Sequence, residues 1–505
     1  MTRPPSVPIR GSYHPASMLL KLPHVTYAEF HTQYSEAEAT KRPNSFIEAH
    51  ATHVHEYLHF MQAIGTAFGR FETIFRVYQL YVLRTVLRFI GSDSPTNWTM
   101  RPYLPLCDWC RKCPDFHSRA PKNVQHDWER WEQIETLLAL LRGDTEPTDR
   151  TNAICLELLG VLPTKQPMIA CDKGHQHALG AHVIMEASAE FAEYCARMSM
   201  RPLAVMRGIS EDMLTQIHTE CDIDHVDWTF EGVQVKWSPA SYYPLNQCVT
   251  LAPEHFLATE LSHLDKHQRM WLLPVICDLA LATPPSTSMR DLKAQQRTTW
   301  NDIHPGHRFL AIVEYLKTCK ARDKRLTHPT QVGTFSELVG DICAKYGWLH
   351  PNDLATQVSS DVLSTPAHVY FFTQAAQLRL RNPFAFLQPY VRPHEFNVYL
   401  LLGLVPHVLF ADGRRVFSPK SFETDPRLAD TLRDLMMREA MDDAVFRGEG
   451  VECVYKALKS PCGLEQHAHC DDCLRDSHAA MCEVAAGAYQ GRFGPHWRFI
   501  QSIGN

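Results

Sequence analysis

Residues His55-Glu56-Tyr57-Leu58-His59 form the pattern H-E-x-x-H. On a helix, positions i and i+4 lie on one face about one turn apart. Two imidazoles so placed can ligate a single Zn2+, and the intervening glutamate can reach a metal-bound water. The metal lowers that water's pKa, and the glutamate takes its proton during attack on a carbonyl. The chain holds 28 histidines in 505 residues. Even so, composition gives only roughly 0.09 chance matches to this pattern.

Two histidines need a third ligand. A continuation H-x-x-G-x-x-H would require Gly at 62 and His at 65, but Gln62 and Gly65 stand there. The alternative is a carboxylate from a second helix. The stretch Ala181-His-Val-Ile-Met-Glu-Ala-Ser-Ala-Glu-Phe-Ala-Glu-Tyr194 is the best candidate. Glu186 and Glu190 are spaced i and i+4, sharing a face with His182 above and Glu193 below. Ala187, Ser188 and Ala189 allow a close helix approach. Acids on an otherwise apolar, alanine-rich helix are costly to bury unless paired or metal-bound. Glu186 is the leading third ligand, with Glu190 and Glu193 as substitutes.

With these motifs the chain resembles the zincin metallopeptidases of the gluzincin kind, which carry H-E-x-x-H followed by E-x-x-x-D. The resemblance implies His55, His59 and Glu186 as zinc ligands and Glu56 as general base. Glu190 falls where the family has an aspartate that orients the first histidine. The wording His55-Glu-Tyr-Leu-His-Phe-Met-Gln62, with the later glutamate helix, also resembles bacterial proteins carrying HEYxHxxQ. The likeness covers Val54–Gly69 and Ala181–Tyr194. The long gap between them implies a large insertion, at about 91–175.

Other residues offer competing chemistry. Glu56-x-x-His59 and Glu260-x-x-His263 are both E-x-x-H, the half-motif of di-iron carboxylate bundles, which Glu29 and Glu186 could complete. Composition alone gives roughly 1.6 such matches, so two carry little weight. Cys107, Cys110, Cys113 and His117 form one candidate structural zinc site, and Cys462, Cys470, Cys473 and Cys482 another. A chain in which the helix pair and cysteine knuckles only hold structure, serving regulation or interaction, is the alternative from outside enzymology.

The elements that must position these groups read as mostly α-helical with minor β. Apolar spacing predicts helices over 45–70, 71–90, 127–143, 152–161, 176–199, 254–264, 267–282, 305–322, 334–346, 366–381, 394–409 and 427–446. A polar segment carrying prolines and cysteines separates the second and third of these. Strand signals fall at Met18–Leu22, Gly232–Trp237 and Arg415–Phe417. Residues 1–282 form the metal-site region, and 283–505 a helical C-terminal region with a cysteine-rich segment at 462–482.

The formal charge of −6 offers no basic field for nucleic acid. The most apolar stretches, Trp271–Ala282 and Asn397–Phe410, fall short of the ~20 residues a membrane-spanning helix needs. The first residues carry no secretory h-region. The sequence therefore predicts a cytoplasmic zinc hydrolase acting on a peptide or protein substrate, with one or two further structural Zn2+ ions in the cysteine clusters. No Walker A, G-x-S-x-G or dinucleotide fingerprint points to other chemistry. The pattern sets no oligomeric state.

Overall fold

A computed structural model describes residues 11–22, 43–92, 98–100, 105–170, 176–206, 226–230, 233–237, 253, 255–282, 299–321, 323–326, 332–348, 350–351, 365–381, 406–410, 415–416, 435, 439, 442 and 446. The described residues are mostly helical, with a few short strands. Glu29 and the Cys462/Cys470/Cys473/Cys482 cluster lie outside them.

The first elements are a hairpin, β1 (Ser12–His14) and β2 (Leu19–Leu22). β2 pairs in parallel with β7 (His407–Phe410), and β8 (Arg415–Val416) closes the four-stranded sheet. The apolar run 394–409 predicts a helix, but His407–Phe410 is a strand. It aligns with Leu19–Leu22 across nearly the whole chain, a pairing that local periodicity cannot report. Two small ladders, β3 (Met168–Ala170) with β4 (Gln176–Ala178) and β5 (Val226–Phe230) with β6 (Val233–Trp237), complete the β-structure described.

Helix α1 (Pro43–Gly65) is the centre of the molecule. Every residue from His50 to Gly65 is buried. It packs against the β1–β2 hairpin, α2 (Ala67–Ser92), α7 (Ala181–Met206) and α12 (Pro366–Arg381). A helix buried all round is ordinarily apolar all round. This one carries His50, His53, His55, Glu56, His59 and Gln62, and such burial is unfavourable unless those groups are satisfied.

The α1–α2 break falls at Thr66, four residues before the predicted joint. The Thr66 hydroxyl donates to the Gln62 carbonyl at 2.8 Å and accepts from Gly69 N–H at 3.0 Å. Gly69 is needed there, because a Cβ would lie 2.2 Å from the Gln62 carbonyl oxygen. Two buried arginines serve the last carbonyls of α1. Arg70 Nε donates to Ile64 at 2.8 Å, and Arg379 Nε donates to Gly65 at 2.9 Å. Positive charge at a helix C-terminus is favourable, and these donors satisfy carbonyls that the helix itself leaves unbonded. Arg379 also forks onto Asp278 at 2.6 and 2.8 Å, tying α12 to α8 (Lys266–Leu281).

Between α2 and α7 the sequence predicts a polar segment up to about residue 126. The structure instead places α3 (Leu106–Lys112), α4 (Pro114–Arg119) and α5 (Lys122–Arg142) there, followed by α6 (Asp149–Leu159). The prolines start helices rather than break them. Pro105 and Pro121 occupy N-cap positions and Pro114 the first turn, where a missing N–H costs nothing. Beyond α8 follow α9 (Trp300–Ile303), α10 (Pro305–Lys317) and α11 (Val332–Tyr346). The boundary expected after residue 282 is followed by residues outside the described set, and α8 and α10, on its two sides, pack on each other. One hydrophobic cluster runs from Ala16 to Phe446. Among the described residues no helix is long and apolar enough to cross a membrane.

Candidate metal centre

The largest helix–helix interface of α1 is with α7. Ala181, Ala187, Ala189, Ala192 and Ala196 are buried along α7, so the backbones can approach closely. Gln62 faces Met185, His59 faces Glu186, and His55 faces Glu186 and Glu193. Numbers rise along α1 as they fall along α7, so the two helices run antiparallel.

Three ligand atoms converge between them. His55 Nε2 and His59 Nε2 are 3.1 Å apart. Glu186 places Oε1 3.4 Å from His59 Nε2 and Oε2 3.6 Å from His55 Nε2. Donors about 2.1 Å from a tetrahedral Zn2+ would stand about 3.4 Å from one another. The observed separations, taken to the nearer Glu186 oxygen for each histidine, lie near that value. Glu56, also buried, neighbours both histidines in charge.

The distal nitrogens explain how the rings are aimed. Gln62 Nε2 donates to the Met185 carbonyl at 3.3 Å, which turns Gln62 Oε1 toward His59 Nδ1 at 3.1 Å. An amide oxygen only accepts, so His59 carries its proton on Nδ1 and a lone pair on Nε2. His55 Nδ1 lies 3.1 Å from a Glu193 carboxylate oxygen, an approach that favours a proton on that nitrogen. Two imidazole nitrogens and a carboxylate facing each other in a buried site call for positive charge among them, a proton or a metal cation.

The protonation energetics express the same demand. Burial alone would lower the His55 pKa, but Glu186, Glu193 and Glu56 outweigh it and hold the ring well above the ordinary histidine value. His59 is likewise raised against its burial, chiefly by Glu186. Glu186 is held well below the carboxylate range, since the two histidines outweigh its own burial. Glu56 is raised, first by burial. Four carboxylates, Glu56, Glu186, Glu190 and Glu193, surround two imidazoles, and a divalent cation fits that charge balance.

The structure thus brings together His55, His59, Glu186 and Glu56 as the sequence predicts. Two α7 carboxylates stand beside His55, Glu193 and the Glu190 that the gluzincin resemblance implies. Glu193, two helical turns from Glu186, makes the close approach to His55 Nδ1. Glu190 is buried alongside, with its ligand oxygen, that of Glu193 and a His55 nitrogen all within 4.8 Å of one another. His182 is exposed and stands near Glu72 instead.

Sequence reasoning assigns no role to Gln62, although the HEYxHxxQ wording includes it, and it misses Gly11. Gln62 sits at i+3 from His59, a same-face spacing that was available as a signal. Gly11 has no sequence signal. Its backbone crosses Glu56 so closely that a Cβ would lie 2.7 Å from Glu56 Cγ.

The remaining candidates do not converge. Cys110 and Cys113 are fully buried in the hydrophobic cluster, Cys107 nearly so, and His117 is exposed. No group of three mutually close ligand atoms among the described residues includes them. Burial pushes the Cys107 thiol up to about 11 and holds Cys110 well above its ordinary value. Helices α3 and α4 turn these side chains inward, against Trp109 and Phe116. Glu260 pairs with Lys317, and His263 contacts the Cys319 carbonyl at 3.1 Å. The second E-x-x-H therefore contributes nothing to the Glu56 site.

No protein-family model, curated protein or solved structure matches this chain.

Proposed function

We propose that this chain is a zinc-dependent hydrolase of amide bonds, a metallopeptidase in which His55, His59 and Glu186 hold the ion. The observation that carries the reading is the convergence of two imidazole lone pairs and one carboxylate, at 3.1–3.6 Å, beside a buried glutamate. Bound Zn2+ would polarise the scissile carbonyl and acidify water. Glu56 accepts a proton from the attacking water and returns it to the leaving nitrogen. Its raised pKa suits a group that must both take and give a proton. Glu193 and Gln62 keep the histidine rings aimed inward.

The position of the site supports an extended substrate. β1 lies at the edge of the sheet and leads from Gly11, which touches Glu56. Among the described residues β1 pairs with β2 alone, the kind of strand edge a peptide substrate can extend. Glu186, with 26% of its side chain exposed, marks the side open to solvent. Eight cysteines among the described residues stand outside disulfides, which suits the reducing, cytoplasmic setting proposed.

The test is Glu56→Gln in the full chain, assayed on a mixture of internally quenched peptides with zinc content measured in parallel. The reading expects zinc to be retained and hydrolysis to fall by about 100-fold or more. Wild-type protein that binds zinc yet cleaves nothing, or a variant as active as wild type, contradicts it.

A further inference from the structure

We infer that Gln62 is a positioning residue that sets the proton of His59, its amide turned to that task by the Met185 carbonyl. The inference rests on the zinc reading above and adds to it a residue outside the H-E-x-x-H motif. Its starting point is an unambiguous group, the Met185 carbonyl, which can only accept. Gln62 Nε2 donates to it at 3.3 Å, so Gln62 Oε1 must face His59 Nδ1, 3.1 Å away. The ring proton is thereby held on Nδ1 and the lone pair kept on Nε2, the nitrogen aimed at Glu186 and His55. Met185 directly precedes Glu186, so the same amide fixes the backbone that carries the third ligand.

Gln62 is itself held from behind. Its carbonyl accepts from Thr66 N–H at 3.0 Å and from the Thr66 hydroxyl at 2.8 Å. Gly69 lets the next helix pass over that carbonyl without a clash. The α1–α2 turn thus holds the main chain of Gln62, while its side-chain amide reaches His59 and α7. Partners of this kind commonly change metal affinity by about 10–100-fold when removed.

Two variants separate the roles of the amide. Gln62→Leu removes the acceptor for His59. Gln62→Glu keeps an oxygen at the same reach but cannot donate to Met185. Zn2+ affinity of the full chain, measured by competition with a chromophoric chelator, should fall about 10–100-fold in Gln62→Leu and return to within a few-fold of wild type in Gln62→Glu. Circular dichroism and Tm establish that each variant is folded. A folded Gln62→Leu with wild-type affinity overturns the inference. So does a folded Gln62→Glu as weak as Gln62→Leu, which would assign the effect to helix bracing alone. If wild type and His59→Ala bind Zn2+ equally, the zinc reading fails, and this inference with it. If His59→Ala loses the ion while Gln62→Leu does not, only the role of Gln62 fails.

Discussion

His55 Nδ1 stands 3.1 Å from the Glu193 carboxylate, while the same ring turns Nε2 toward His59 and Glu186. One imidazole therefore spans two glutamates that lie two turns apart on α7. Glu193→Gln should weaken zinc binding about 10–100-fold by removing the charge that orients and strengthens His55. Glu190→Gln should have a smaller effect. Chelator competition on both variants decides the order, and a larger loss in Glu190→Gln would restore the spacing implied by the gluzincin resemblance.

Gly11 gives a second prediction, because it touches the proposed base and no ligand. A methyl group there would lie 2.7 Å from Glu56 Cγ and 2.8 Å from Oε1, so Glu56 must move. Displacing a reacting group by about 1 Å can reduce turnover by about 100-fold. Gly11→Ala should therefore retain zinc and lose most peptide hydrolysis. Wild-type turnover in this variant would show that Glu56 has freedom this account denies it.

Acid stability is set away from the site. Burial holds His53 down to about 3, His304 to about 3 and His368 to about 4. His304 accepts from Gly306 N–H at Nδ1 (3.1 Å) and His368 faces the Ala16 carbonyl through Nε2 (2.8 Å), so both rings work as neutral groups. A histidine depressed in the fold is protonated first in the unfolded chain, so stability falls as pH drops below about 6.5 toward these values. His55 and His59 have the opposite sign. Their contribution to the metal-free protein is complete below the unfolded value of about 6.5 and constant there, so it adds no slope in this window. Urea titrations should show stability falling by up to about 1.4 kcal/mol per pH unit for each depressed histidine between about pH 6 and 4. His304→Gln should reduce that slope. A flat profile would mean that these rings are solvated.

Much of the helical framework was legible in the sequence. Pro366–Arg381 is a helix with the predicted bounds, and the helices over 267–282 and 334–346 shift by only one or two residues. The H-E-x-x-H spacing pointed to His55, Glu56 and His59 of the proposed centre, because one short helical segment carries all three. The second half of the site was less legible. Choosing between Glu190 and Glu193 depends on the antiparallel register of α1 on α7, which spacing within either helix does not contain. The strand at His407–Phe410 and the contact of Gly11 with Glu56 depend on chain-distant pairing for the same reason. Helices α3 and α4 were hidden because their prolines read as breaks, although each sits where a helix starts.

The central claim is that His55, His59 and Glu186 hold one zinc ion, and elemental analysis of zinc tests it most directly. The full chain, purified alongside His59→Ala and Glu186→Ala, should contain one equivalent more zinc than either variant, whatever the cysteine-rich segment binds. Equal zinc content in wild type and in folded His59→Ala would contradict the account.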